Sequence, residues 1–233
     1  MGLCRQQRPF LCCRQPEGNV DSHHLSSCTI SNVSCQLIGL FEHLHQGQIS
    51  CTVFIDSKTL ITAGTDCTLA IWAVAPTSKY VDLQDPSYLF GHRAPVTVLA
   101  ASRTFSTFLS ASTDGKVYLW DLNRSEFVRE IDAGGAAVQC ARIHNTTGNI
   151  VLCCGRRVML FTLNGHLLLD QHVCDTDDAD DVVVSCAFYE GVGNEWVQRD
   201  LLFTGHRKGM VKVFKSVFLC LPCAIHRRPG TRG

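Results

Sequence analysis

Four groupings of side chains in this sequence could do chemistry. His92, Ser110 and Asp114 supply an imidazole, a hydroxyl and a carboxylate, the parts of a hydrolytic triad. Cys220 and Cys223, with His226 three residues on, have the spacing of half a zinc site. The run DTDDADD at 175–181 gathers carboxylates that could take calcium, and GRR at 155–157 places two guanidiniums where a phosphate could sit. Three of the four have a plainer reading. Zinc takes four ligands, and no second pair of matching spacing accompanies Cys220 and Cys223. The acidic run lacks the Gly and terminal Glu of a calcium loop and reads as a solvated linker; GRR reads as a solvent-facing hairpin turn. No metal and no cofactor are expected. The fourth grouping depends on the elements that carry it.

Those elements repeat. TLITAGTDCTLAIW (59–72) and TFLSASTDGKVYLW (107–120) superpose without a gap. Each reads as a strand, a tight turn holding an Asp, and a second strand ending on Trp; Asp66 to Trp72 and Asp114 to Trp120 are both six residues. A further strand precedes each, ISCTVFI (49–55) and VTVLAAS (96–102), with His45 and His92 four residues ahead of them. Two weaker units follow. VQCARI leads into NIVLCCGRRVMLFTL, with Phe161 at the Trp position. VVVSCAFYE leads, after the insertion GVGNEWVQRD, into LLFTGHRKGMVKVF, with Phe214 there. The aromatic marks at 72, 120, 161 and 214 are 48, 41 and 53 residues apart, which brackets the period of about 40–45 residues of a propeller blade. Because the histidine, hydroxyl and carboxylate recur with the repeat, they read as a structural set and not as a catalytic one.

The pattern resembles the WD-repeat β-propellers, whose Gly-His, Asp and Trp-Asp signature is best kept at Gly91-His92, Asp114 and Trp120-Asp121. In that family a blade has four strands, and a His, a strand hydroxyl, an Asp and a Trp form a hydrogen-bonded tetrad. The resemblance implies His92, Ser110, Asp114 and Trp120 in the second unit, with Ser112 competing with Ser110, and His45, Thr62, Asp66 and Trp72 in the first. The third unit has lost His, Asp and Trp; the fourth keeps Thr204 but has Lys208 where Asp belongs. Longer stretches, among them GLFEHLHQGQISC and SCAFYEGVGNEW, resemble the C-terminal WD repeats of BEACH-domain (beige-like) proteins, the fungal ones in particular, over about 35–216. That likeness implies a role in vesicle trafficking and in vacuolar or lysosomal sorting. GHR occurs twice: Gly91-His92-Arg93 stands before a first strand, and Gly205-His206-Arg207 is expected between a second and a third. In propellers these two kinds of connection emerge on one face. Arg93, Arg207 and Lys208, with Trp196 of the insertion, are therefore the candidate partner contacts.

The expected architecture is all-β: an incomplete WD-repeat propeller of about four recognisable four-stranded blades over 35–216. Residues 1–34 show no blade pattern, 217–233 form an irregular basic tail, and both ends read as truncated or misjoined. Lys+Arg and Asp+Glu are 21 each, so there is no basic field for nucleic acid. The longest apolar stretch is interrupted by Lys215, too early for a membrane span, and the N-terminus has no signal-peptide core. Of the fourteen cysteines, many sit in strand-like runs (Cys51, Cys140, Cys153, Cys154, Cys186) and read as reduced, buried thiols of a cytoplasmic protein. Open propeller flanks would need a partner or a second copy to cover them. The expectation is a non-catalytic protein-interaction scaffold, cytoplasmic or peripheral to endomembranes through its partners. A stand-alone WD adaptor (a ubiquitin-ligase substrate receptor or signalling scaffold) and a non-functional truncated product remain as alternatives.

Overall fold

The computed structural model describes residues 40–76, 81–174, 181–189 and 201–215. The expected irregular ends, Trp196 and the Cys220/Cys223 pair lie outside them. The described residues form fifteen strands in four antiparallel sheets, each with its strands in chain order. By contacts the chain divides into two compact units, 1–96 and 97–233.

The first unit holds the sheet β1 (Ile49–Phe54), β2 (Thr59–Gly64), β3 (Leu69–Pro76) and β4 (Val81–Leu89). β2 is covered on both faces and buried along nearly its whole length, which is why TLITAG carries so few polar side chains. Leu60, Ala70 and Trp72 make its small core, with Leu44, Val74 and Leu83 packed around them. Tyr88 of β4 meets the Trp72 ring edge-on at 6.1 Å.

The second sheet is β5 (Val96–Ser102), β6 (Thr107–Ser112), β7 (Lys116–Asp121) and β8 (Glu126–Asp132). The third is β9 (Cys140–Ile143), β10 (Ile150–Cys154), β11 (Arg157–Phe161) and β12 (Leu167–His172). The fourth has three described strands, β13 (Val183–Tyr189), β14 (Leu201–His206) and β15 (Val211–Lys215). The third sheet shows how they stack. Strand residues alternate between faces. Ile150, Leu152 and Cys154 of β10, with Met159 and Phe161 of β11, therefore join Leu109, Leu119 and Ile131 of the second sheet in one core. The intervening Val151, Cys153, Val158 and Leu160 face the other way, onto Val183, Cys186 and Leu202 of the fourth. A strand buried on both faces needs an unbroken apolar run, and IVLCC is one. The fourth strands β8 and β12 are largely exposed, so their sequences turn polar.

Strand register fixes the repeat. Trp72 lies opposite Leu60, Trp120 opposite Phe108, Phe161 opposite Ile150 and Phe214 opposite Leu202. Counting two residues on along the second strand gives Thr62, Ser110, Leu152 and Thr204; two more gives Gly64, Ser112, Cys154 and His206.

Candidate functional site: the hydrogen-bond networks of the sheets

In the first sheet the structure brings His45, Thr62, Asp66 and Trp72 together. The Trp72 indole N–H donates to the Thr62 hydroxyl at 2.9 Å, and that hydroxyl lies 2.8 Å from His45 Nε2. His45 Nδ1 faces both oxygens of Asp66 at 3.2 Å. A proton on Nδ1 satisfies every group, with the indole giving to the hydroxyl, the hydroxyl to Nε2, and Nδ1–H to the carboxylate. The backbone N–H groups of Gln46 (2.8 Å) and Thr68 (3.1 Å) and the Thr68 hydroxyl (2.8 Å) also donate to Asp66. Burial alone would raise the Asp66 carboxyl; the bonds from Thr68 and Gln46 and the His45 imidazole outweigh it and hold it below the ordinary value. The His45 side chain is wholly buried, and it fits because residue 64 is Gly. A Cβ there would stand 2.5 Å from Asp66 Oδ1 and 2.8 Å from His45 Nδ1.

In the second sheet the two serines divide the work. Ser110 accepts the Trp120 indole N–H at 2.8 Å, whereas Ser112 donates to Asp114, whose Oδ1 also takes the Lys116 backbone N–H at 3.1 Å. Gly115 closes this turn at φ +81°, with the Gly135 carbonyl carbon 2.7 Å from where a Cβ would be. His92 is buried ahead of β5.

The third sheet keeps no such network. Leu152 stands in the place of the strand hydroxyl, and Phe161 in that of Trp; both are buried in the apolar core. In the fourth sheet Thr204 Oγ1 lies 3.0 Å from His206 Nε2, and His206 Nδ1 lies 2.8 Å from Asp181 Oδ1. The order of contacts is that of the first sheet, strand hydroxyl to Nε2 and Nδ1 to carboxylate, but the attachment points have changed hands. His206 grows from the position of Gly64, and the carboxylate comes from Asp181, two residues ahead of β13, on the side from which His45 approaches β1. Asp181 is buried, with Lys212 Nζ 3.5 Å from its second oxygen. Burial would raise its carboxyl, but the bonds from His206 and Cys174 and the charge of Lys212 hold it low.

The sequence places Gly205-His206-Arg207 in a turn, whereas Gly205 and His206 belong to β14, with His206 buried; only Arg207 begins the turn. Asp181, read with its neighbours as a solvated linker, is instead a buried partner; 175–180 lie outside the described residues. Neither was found from sequence, though Asp181 and His206 were both there to be paired as a carboxylate and an imidazole. Arg93, Arg207 and Lys208 are exposed. Within GRR, Arg157 is tied to Asp170 of β12 through Nε at 3.1 Å.

These networks have a triad's order of contacts, hydroxyl to Nε2 and Nδ1 to carboxylate, but the hydroxyls of Thr62 and Thr204 are buried, away from any substrate. Cys174 Sγ, 3.7 Å from His206, and Asp181 both approach Nδ1, while Nε2 is committed to Thr204. In each network the imidazole is held between a buried strand hydroxyl and a carboxylate. Its work is to bind the loop ahead of the sheet to the second strand.

Antiparallel sheets with their strands in chain order, three of them four-stranded, and an indole–hydroxyl–imidazole–carboxylate chain in the first are the architecture of a WD-repeat β-propeller. The WD domain, G-beta repeat family profile matches residues 34–73 and 84–121, which carry the first two sheets. Within that class the repeats resemble those of BEACH-domain proteins. Beige protein homolog 1 of Schizosaccharomyces pombe is 28% identical over 76% of this chain. BEACH domain-containing protein A2 of Arabidopsis thaliana is 29% identical over 84%, and the human lysosomal-trafficking regulator 27% over 72%. The chain spans 7%, 6% and 4% of those relatives respectively. The structure of U3-55K superposes with a TM-score of 0.58 over 73% of this chain and 50% of that one, at 18% identity, a likeness of fold. Among the described residues no helix is long and apolar enough to cross a membrane.

Proposed function

We propose that the chain is a non-catalytic protein-interaction scaffold that acts in vesicle trafficking and vacuolar or lysosomal sorting. The observation that carries the first half is the use made of the polar groups. In the first and fourth sheets the imidazole, hydroxyl and carboxylate are consumed in bonds that hold loops and turns in place. The loops and turns those bonds make rigid are preorganised surfaces of the kind that lower the ordering cost of binding. Arg93 ahead of β5 and Arg207 and Lys208 in the β14–β15 turn are exposed cations and are the proposed contacts, together with Trp196 of the insertion, which lies outside the described residues. The trafficking half rests on the resemblance to BEACH-domain proteins, one of which is named for lysosomal trafficking. Such surfaces would recruit acidic segments of other proteins, with membrane association following through the partner.

The test is quantitative proximity labelling in cells with wild type, the triple variant Arg93→Glu, Arg207→Glu, Lys208→Glu, a separate Trp196→Ala variant, and an exposed control, Arg103→Glu. The expected result is a set of endomembrane-traffic proteins lost in the triple variant, reduced in Trp196→Ala and kept in the control. A wild-type set without traffic proteins would sink the trafficking reading. A set unchanged by the triple variant would remove these cations.

A further inference from the structure

Three thiols converge where the third and fourth sheets pack. Cys140 opens β9, Cys153 lies opposite it on β10, and Cys186 sits mid-strand on β13, which packs against both. The three sulfur atoms lie within 4.8 Å of one another. Cys153 and Cys186 are buried among Val151, Val158, Val183 and Leu202, and Cys140 packs against the same core. None of the three is required by the repeat. The tetrad positions of these sheets are filled by other residues, and the fold needs only small apolar side chains here, as Val151 supplies on the same face.

We infer that Cys140, Cys153 and Cys186 form a binding site for a soft, thiophilic monovalent cation of the Cu(I) type. The donor set selects the ion. Thiolates favour Cu(I), Zn(II) and iron–sulfur clusters. A structural zinc site closes with four ligands, and among the described residues the cluster brings no fourth sulfur, imidazole or carboxylate. Three sulfurs in an apolar wall match an ion content with three soft ligands. Binding exchanges thiol protons for the metal, so it weakens as pH falls. Because two ligands belong to one sheet and the third to the next, the ion would clamp the two sheets together.

The full chain, reduced and kept anaerobic, would be titrated with Cu(I) against a chromophoric chelator, following thiolate-to-metal absorption in the ultraviolet. Other thiols will also take copper, so the readout is a difference. Cys140→Ser, Cys153→Ser and Cys186→Ser should each lose one chelator-resistant equivalent, while Cys51→Ser and Cys154→Ser keep it. The affinity lost should exceed the roughly 10–100-fold that removing a mere supporting contact costs a metal site. The wild-type melting temperature should rise with Cu(I). X-ray absorption of the wild-type protein loaded with that one equivalent should show three sulfur neighbours, and it does not depend on any variant folding. Equal equivalents in wild type and in Cys186→Ser, a two-sulfur shell, or a melting temperature raised by Zn(II) and not by Cu(I) would each overturn the assignment.

Discussion

The Thr62 hydroxyl serves two partners and the Thr204 hydroxyl one, and the difference should be measurable. Both are buried, at 1% and 0% exposure. Thr62 accepts the Trp72 indole N–H and gives its proton to His45 Nε2, whereas Thr204 faces His206 Nε2 and has Phe214, which lacks an N–H, at the Trp position. Replacing either by Val keeps the branched shape and deletes the hydroxyl. An orphaned buried polar group costs about 1–3 kcal/mol, and the extra methyl returns about 0.8 kcal/mol. Thr62→Val leaves two such groups and should cost about 1–5 kcal/mol. Thr204→Val leaves one and should cost about 0–2 kcal/mol. The central gap is about 2 kcal/mol, roughly thirtyfold in an opening equilibrium.

Because the two residues belong to different compact units, a single melting curve need not report both. The fitting assay is native-state hydrogen exchange, comparing the opening free energies of β2 and β3 amides in one variant with those of β14 and β15 in the other. Thr62→Ser, which restores the hydroxyl, should recover most of the loss. If Thr204→Val cost as much as Thr62→Val, or if Thr62→Val cost under about 0.5 kcal/mol, the directed chain from indole to carboxylate would not be what holds the first sheet.

Cys67 occupies the β2–β3 turn at φ +65°, where the second sheet has Gly115 at φ +81°. The left-handed backbone costs a non-glycine residue about 1–2 kcal/mol, against about 0.5–1 kcal/mol for the extra entropy that glycine loses on folding. Cys67→Gly should therefore stabilise by up to about 1.5 kcal/mol, seen as a higher urea midpoint with unchanged slope. Gly115→Ala should do the opposite and cost more than about 1 kcal/mol, since its methyl also meets the Gly135 carbonyl carbon 2.7 Å away. Asp66 has a folded pKa below its unfolded value of about 3.9. Its contribution is thus complete above that value and lost as pH falls through the folded one. The stability gap between wild type and Asp66→Asn, from denaturant titrations across pH, should be flat from 7 to about 5 and close below about 4; closure between 5 and 7 would point to another group.

The fold was legible because its strongest cues are local. An Asp six residues before a Trp, a tight turn holding that Asp (TDC in one unit, TDG in the other) and an alternating strand survive in two units, and the register of the other two follows from Phe161 and Phe214. The fourth network was hidden for a physical reason. A carboxylate in a run of carboxylates is read by composition as solvated, and only the fold shows that Asp181 is drawn inside by an imidazole from 25 residues later. The thiol cluster was hidden differently. Alternation says that Cys153 and Cys186 face away from their neighbours in the strand, but not that two sheets turn these faces toward each other.

The position two residues beyond the strand hydroxyl explains why the signature can decay while the sheet persists. Gly64 leaves room for an imidazole arriving from the preceding loop, Ser112 bonds the turn carboxylate, and His206 supplies the imidazole itself. Cys154 stands beside Leu152 in a sheet that has replaced the network with apolar packing. In the first and fourth sheets the imidazole is closed on both sides, by a strand hydroxyl at Nε2 and a carboxylate at Nδ1. The solutions are also mutually exclusive. A histidine placed at 64 alone would drive its Cβ to 2.5 Å from Asp66 Oδ1 while His45 still filled the site. Passing from the first arrangement to the fourth therefore requires the imidazole and the carboxylate to trade origins together. Intermediates carry either a steric clash or a buried unpaired group, and apolar replacement, as in the third sheet, is the route around both.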